Sequence, residues 1–197
     1  MYKNVAFDVG MVLADFRYRA YMKDLGFSDE LIEIFSDKVV NSPHWSRLDE
    51  GVADEDEAEE YFRGVVPGYE KELAEFWKNL EFITEEYDYS EKLVLDLKEK
   101  GYKVFVVSNY PDKLSQLHWP KFKFLPHTDG YIISSKEKLI KPNPEIYKLL
   151  ESRFGIKLSE TVFVDDRQIN VDAANSLGMK GILFKGIDDL RAQLENL

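Results

Sequence analysis

Three short apolar runs, each broken off by polar groups at its C-terminal end, limit what this chain can fold into. Val5-Ala6-Phe7 stops at Asp8, Val104-Phe105-Val106-Val107 at Ser108-Asn109, and Thr161-Val162-Phe163-Val164 at Asp165-Asp166. Runs of this length suit strands buried on both faces and are too short for core helices. After the first run, Gly10 lets the backbone turn sharply. Parallel strands bring their C-terminal tips to one edge of the sheet, where open α/β folds bind ligands. The three polar tips therefore predict one site.

The segments between these runs read as helices. Arg17 to Leu25 is closed by Gly26, and Ser28-Asp29-Glu30-Leu31 opens a second helix that runs to about Val40 and ends at Asn41-Ser42-Pro43. Leu31, Ile34, Phe35 and Val39 give it a single apolar stripe. Asp54 to Val65 predicts a third helix, and a fourth begins near Pro67 and carries Leu73, Phe76, Trp77 and Leu80. The acidic faces of these helices read as solvated surface. Between residues 16 and 85 no strand is expected.

From Ser90, an expected N-cap, helix and strand alternate. The expected elements are helix Glu91–Lys100, strand Lys103–Val107, helix Pro111–Leu117, strand Tyr131–Ser134, helix Glu145–Phe154, strand Thr161–Val164, helix Ile169–Leu177, strand Gly181–Phe184 and helix Asp188–Leu194. Such alternation means a parallel sheet covered on both faces. The helical stretch after the first strand is too long for a simple crossover and predicts an inserted cap. The expected division is a core of residues 1–15 and 86–197 with a helical cap over 16–85.

Composition excludes several classes of function. The formal net charge of −11 comes without a basic block, so nucleic acid is not an expected partner. There is no cysteine, hence no disulfide, thiolate nucleophile or Cys-type zinc site. His44, His118 and His127 are scattered without ligand-like spacing. No apolar segment approaches the roughly 18 residues of a membrane span, and the N-terminal stretch does not read as a signal peptide. The expectation is a soluble, cytoplasmic protein that binds no membrane, and the sequence names no protein partner.

The chemistry follows from Asp8, Ser108, Lys141 and the Asp165-Asp166 pair. Carboxylates converging at strand tips need a cation, and oxygen-ligated Mg²⁺ is the natural one. Beside that charge and Lys141, Asp8 can stay ionised, attack phosphorus and form an aspartyl-phosphate. Ser108, the Asn109 amide and Lys141 would hold the phosphoryl oxygens as charge develops.

The same residues carry a family resemblance that spans essentially the whole chain. Phe7-Asp8-Val9-Gly10-Met11-Val12-Leu13, Val107-Ser108-Asn109, Leu139 to Tyr147, Phe163-Val164-Asp165-Asp166 and Asn170 to Met179 resemble the haloacid dehalogenase-like hydrolases. The resemblance implies a Rossmann-like three-layer core with a parallel sheet, an all-helical cap inserted after the first motif, and Mg²⁺-dependent hydrolysis of a small phosphate ester. It implies Asp8 as nucleophile and metal ligand, the Gly10 carbonyl and Asp166 as direct ligands, and Asp165 behind them or orienting Lys141.

Gly10 stands where most phosphatases of this superfamily carry a second aspartate that protonates the leaving group. Losing a general acid is worth about 10²–10⁴-fold in rate. Met11 replaces the usual Gly or Asn, so the loop is expected to differ locally. Gly10 is shared with a subgroup resembling α-D-glucose-1-phosphate phosphatases, which points to a sugar phosphate. Trp45, Arg47 and the Asp49-Glu50-Gly51 turn lie where such caps approach substrate, with Arg47 a substrate-binding candidate. The alternatives are a metal-independent 2-haloacid dehalogenase and a regulatory protein that binds phosphate or metal without turnover.

Overall fold

The computed structural model describes residues 1–195. In chain order, β1 (Asn4–Phe7) and β2 (Ala14–Phe16) precede five helices: α1 (Tyr18–Asp24), α2 (Asp29–Phe35), α3 (Pro43–Glu50), α4 (Glu55–Val65) and α5 (Glu70–Lys78). Then come β3 (Thr84–Glu86), α6 (Ser90–Glu99), β4 (Lys103–Ser108), α7 (Asp112–His118), β5 (Gly130–Ile133) and α8 (Ser134–Glu137). The chain continues through α9 (Pro144–Phe154), β6 (Thr161–Asp165), α10 (Gln168–Ser176), β7 (Lys180–Leu183) and α11 (Ile187–Glu195). Among the described residues, no helix is long and apolar enough to cross a membrane.

The main sheet has five parallel strands in the order β5-β4-β1-β6-β7. Side chains alternate between its faces. Val5, Phe7, Val104, Val106, Val162 and Val164 pack on one side, whereas Ala6, Phe105, Val107 and Phe163 pack on the other. α6 and α11 cover the first face through Leu93, Leu97, Leu190 and Leu194. α9 and α10 cover the second through Ile146, Tyr147, Leu150 and Ala174. The result is a three-layer, Rossmann-like α/β core. Each fully buried Val or Phe contributes about 1.5–3 kcal/mol to holding it. The register pairs Phe7 with both Val106 and Val164, so Asp8, Ser108 and Asp165 emerge along one edge.

The helices between β2 and β3 form an excursion from this core. The chain leaves and returns through an antiparallel pair of three-residue strands, with Ala14 opposite Glu86 and Phe16 opposite Thr84. No strand was expected in this region; three residues are too few for a readable period, and each strand's partner lies some seventy residues away. Inside the excursion Tyr21, Phe35, Phe62, Phe76 and Trp77 are buried, with tilted or edge-on contacts such as Phe35–Phe76 at 5.9 Å and Trp45–Trp77 at 6.1 Å. These side chains join the apolar cluster on the first face of the sheet.

Two local differences matter for the site. Pro43 begins a helix where the sequence suggested that one only ends. Ser42 caps α3 by accepting from the Trp45 N–H, Pro43 takes the first turn, and Gly51 closes the helix with a left-handed φ of 71°. Asp49 and Glu50 are therefore the last turn of a helix and not part of a free turn. Ser90 is no N-cap either. It stands inside the first turn of α6, and its hydroxyl donates to the Leu13 carbonyl at 2.6 Å.

Candidate active site

Asp8 lies just beyond the tip of β1, and its Oδ1 collects three donors. The Val9 N–H reaches it at 2.7 Å, the Ser108 hydroxyl at 2.8 Å and Lys141 Nζ at 2.8 Å. No described residue donates to Oδ2, and the Asp8 side chain keeps 12% exposure to the cavity it lines. One oxygen is thus fixed and the other is free.

Lys141 is the electrostatic centre of the site. Its Nζ also reaches Asp165 Oδ2 at 2.7 Å, with side-chain exposures of 1% and 0%. Asp165 is further held by the Arg167 N–H at 2.9 Å and by the Asn170 amide, which touches both its oxygens at 2.9 and 3.1 Å. Burial pulls Lys141 down, but Asp8 and Asp165 outweigh it and keep the ammonium protonated. Burial pushes the Asp8 carboxyl up, and Lys141 pulls it back. The Asn109 side chain fixes the lysine's backbone, accepting from the Lys141 N–H at 2.8 Å and donating to its carbonyl at 3.0 Å.

Asp166 is half-buried beside this network. Burial and the charges of Asp8 and Asp165 push its carboxyl up to about 6. Oxygens of Asp8, Asp165 and Asp166 lie within 4.8 Å of one another, the one group of potential metal ligands among the described residues. The donor set is all oxygen, which suits a hard divalent cation. Since Asp165 is occupied by Lys141 and Asn170, the carboxylates open to an ion are Asp8 and Asp166. Gly10 lines the same cavity.

This cavity, of about 480 Å³, has a core wall and a cap wall. Asp8, Gly10, Asn109, Lys141, Asp166 and Arg167 line the first; Val40, Asn41, Trp45, Ser46 and Asp49 line the second. A larger cleft of about 570 Å³ lies between Leu25–Leu31 and Tyr69–Glu75 and includes none of the strand-tip residues. The structure thus gathers Asp8, Gly10, Ser108, Asn109, Lys141, Asp165 and Asp166 at one edge. Arg47 does not join them. It is exposed on α3 and absent from the cavity lining, because two residues from Trp45 is about 200° around a helix.

The family model of the haloacid dehalogenase-like hydrolases matches residues 2–178. The chain is a haloacid dehalogenase-like hydrolase. A D-ribitol-5-phosphate phosphatase from Bacteroides thetaiotaomicron is 29% identical to it, covering 98% of this chain and 97% of that protein. A sesquiterpene phosphatase from Aspergillus oryzae is 25% identical over 92% of this chain and 89% of its own. Among solved structures, a family enzyme from Bacteroides thetaiotaomicron in complex with magnesium and inorganic phosphate superimposes with a TM-score of 0.69 at 26% identity, covering 94% and 95% of the two chains. An L-2-haloacid dehalogenase from Xanthobacter autotrophicus reaches a TM-score of 0.71 at 19% identity, covering 100% of this chain and 83% of that one, a likeness of fold alone.

This hydrolase has parts of its site that sequence reasoning passed over. His118 was set aside as a scattered histidine. It is buried, and its Nε2–H donates to the Leu80 carbonyl at 3.0 Å. A carbonyl only accepts, so in the neutral ring Nδ1 is the acceptor, and the Tyr110 hydroxyl donates to it at 2.7 Å. The Tyr110 N–H donates to Ser134 Oγ at 2.8 Å, and the Ser134 hydroxyl donates to the Asp49 carbonyl. These links tie the helical excursion to the core at its middle, Asp49, and near its C-terminal end, Leu80. Their residues are far apart in the chain and carry no motif.

Proposed function

We propose that this hydrolase cleaves a small phosphorylated sugar or polyol, with Mg²⁺, through an aspartyl-phosphate on Asp8. The observation that carries the reading is the unequal treatment of the two Asp8 oxygens. Oδ1 is fixed by Val9, Ser108 and Lys141, which leaves Oδ2 with a defined direction of approach to phosphorus. Mg²⁺ held by Asp8, Asp166 and the Gly10 carbonyl would supply positive charge for the phosphoryl oxygens. Lys141 adds a second positive charge at the same place, and Asp165 and Asn109 keep it there. The Asn109 side chain is spent on Lys141, so the amide left to meet a phosphoryl oxygen is its backbone N–H.

The helical segment 16–85 acts in this reading as the cap over the site, with residues 1–15 and 86–197 as the core. Asn41 and Ser46 give the cap wall exposed polar groups, which suit the hydroxyls of a sugar or polyol. The full-length likeness to a D-ribitol-5-phosphate phosphatase supports the same class. A metal-independent dehalogenase has no use for the Asp166 carboxylate beside Asp8.

The test is turnover of 4-nitrophenyl phosphate with and without Mg²⁺, in wild type and Asp8→Asn. Chelation and the substitution should each abolish it, and Asp8→Asn should still bind Mg²⁺ or phosphate only weakly. Turnover surviving in Asp8→Asn removes Asp8 as nucleophile. Phosphate release should then be scored over sugar, polyol and prenyl phosphates and nucleotides.

A further inference from the structure

Gly10 has no proton to give a departing oxygen, yet an alkoxide is a poor leaving group from phosphorus. Six titratable or cationic side chains stand around the cavity: Asp8, Asp49, Tyr110, Lys141, Asp166 and Arg167. Asp8 makes the bond to phosphorus and Lys141 is clamped between two carboxylates. Asp166 belongs to the oxygen cluster that suits a cation. An arginine does not deprotonate, and the Tyr110 proton is committed to His118. Asp49 remains.

Its placement fits the task. Asp49 lines, from the helical excursion, the same cavity that Asp8 and Lys141 line from the strand tips, so its carboxyl shares the space a bound ester would fill. No described hydrogen bond or ion pair engages its carboxyl; only its backbone carbonyl is held, by Ser134. The helix end that carries it is docked on the core. A Cβ on Gly51 would lie 2.2 Å from the Ser135 carbonyl oxygen, so this glycine packs directly on the core backbone. The last turn of a helix is also the negative end of its dipole, which disfavours a carboxylate.

We propose that Asp49 is the general acid–base of this hydrolase, protonating the oxygen that leaves phosphorus. This rests on the reading of Asp8 as nucleophile. Burial first, and the Asp8 charge second, push the Asp49 carboxyl up to about 7, against the pull of Lys141 and Arg167, so near neutral pH it can both give and take a proton. As Asp8 Oδ2 bonds to phosphorus, the ester P–O bond breaks. Its electron pair goes to the departing oxygen, which takes the Asp49 proton and leaves as a neutral alcohol. The Asp49 carboxylate then takes a proton from the water that attacks the phosphorus of the acyl phosphate. The bond between phosphorus and the Asp8 oxygen breaks, returning the Asp8 carboxylate and inorganic phosphate. Ester and water have become alcohol and phosphate, and Asp49 is protonated again.

The experiment compares an alkyl substrate, glycerol 2-phosphate, with an aryl one, 4-nitrophenyl phosphate, whose leaving group needs little help. Asp49→Asn should lose about 10²–10³-fold in kcat on the alkyl ester and less than tenfold on the aryl ester. In wild type the alkyl kcat/KM should fall as pH rises past about 7, and this basic limb should vanish in the variant. A Cβ at Gly10 meets nothing within 4 Å, so Gly10→Asp has room for a carboxyl. Added to Asp49→Asn, it should restore alkyl turnover at least tenfold. Aryl turnover serves as the folding control, and Asp49→Ser repeats the comparison if Asp49→Asn is insoluble. Equal losses on the two substrates, or a basic limb that persists, overturn the proposal. Aryl turnover surviving in Asp8→Asn instead overturns the reading beneath it.

Discussion

The two walls of the cavity are held in place by different forces. On the core wall the functional side chains hold one another: Asp8, Lys141 and Asp165 form a buried chain of contacts at 2.7–2.8 Å, reinforced by Ser108 and Asn170. On the cap wall they hold nothing. Besides its apolar packing, the cap is tied to the core at the Asp49 carbonyl, the Leu80 carbonyl and Gly51, while the side chains of Asn41, Ser46 and Asp49 are left without a structural task. The core wall therefore cannot change one residue without disturbing the rest. The cap wall can change its polar side chains provided its backbone and the buried Val40 and Trp45 still dock. That division suits a hydrolase whose attack on phosphorus is constant and whose leaving group is not.

Lys141→Met is the severest way to test this contrast. It leaves Asp8 and Asp165 facing each other, almost fully buried, without their shared cation. Breaking a buried pair in this way costs about 3–5 kcal/mol, so urea unfolding should show a loss of that size. Turnover should fall alike on aryl and alkyl phosphates, since the attacking side is damaged. A loss below about 1 kcal/mol would mean that the two carboxylates do not depend on the lysine as their geometry says.

Gly51→Ala probes the other wall. The new methyl would overlap the Ser135 carbonyl, and alanine also resists a φ of 71°. Left-handed backbone costs about 1–2 kcal/mol and overpacking about 1–3, so a total of about 2–5 kcal/mol is expected. The kinetic consequence should be selective. With α3 displaced, alkyl phosphates should lose roughly tenfold more activity than aryl ones, the pattern of Asp49→Asn in milder form. Equal losses would show that the cap docks as a mere lid.

The same contrast explains what could be read from the sequence. The core wall was legible because each of its parts is local: an apolar run, then a polar tip, repeated. The parallel sheet, the covering helices and the position of the helical excursion all follow from such runs. What distance in the chain conceals was not legible. β2 and β3 are too short to show a period, and the bonds of Ser90 to Leu13 and Ser134 to Asp49 join residues tens of positions apart. α3 is different, because its signal was present. Ser42-Pro43 is a cap followed by a first-turn proline, and Gly51 is the matching stop; reading Pro43 only as a terminator hid the helix. Had it been read as a start, Trp45 and Asp49 would have fallen one turn apart on one face and Arg47 on the other.

The smallest expected effect concerns the turn behind Asp8, where sequence reasoning anticipated an unusual loop. Met11 has a φ of 58°, its N–H donates to the Ala14 carbonyl at 2.7 Å, and its side chain is 43% exposed. The backbone is thus bent into the left-handed region by a residue with a bulky Cβ substituent and little burial to offset the strain. Asparagine enters that region more easily, because its short side chain bonds locally. Met11→Asn should therefore stabilise the protein by about 0.5–1 kcal/mol, raising Tm by roughly 1–4 °C for a chain of this size. If Tm falls instead, the Met11 side chain gains more from its contacts than its backbone loses, and this turn belongs with the mutually supporting core wall after all.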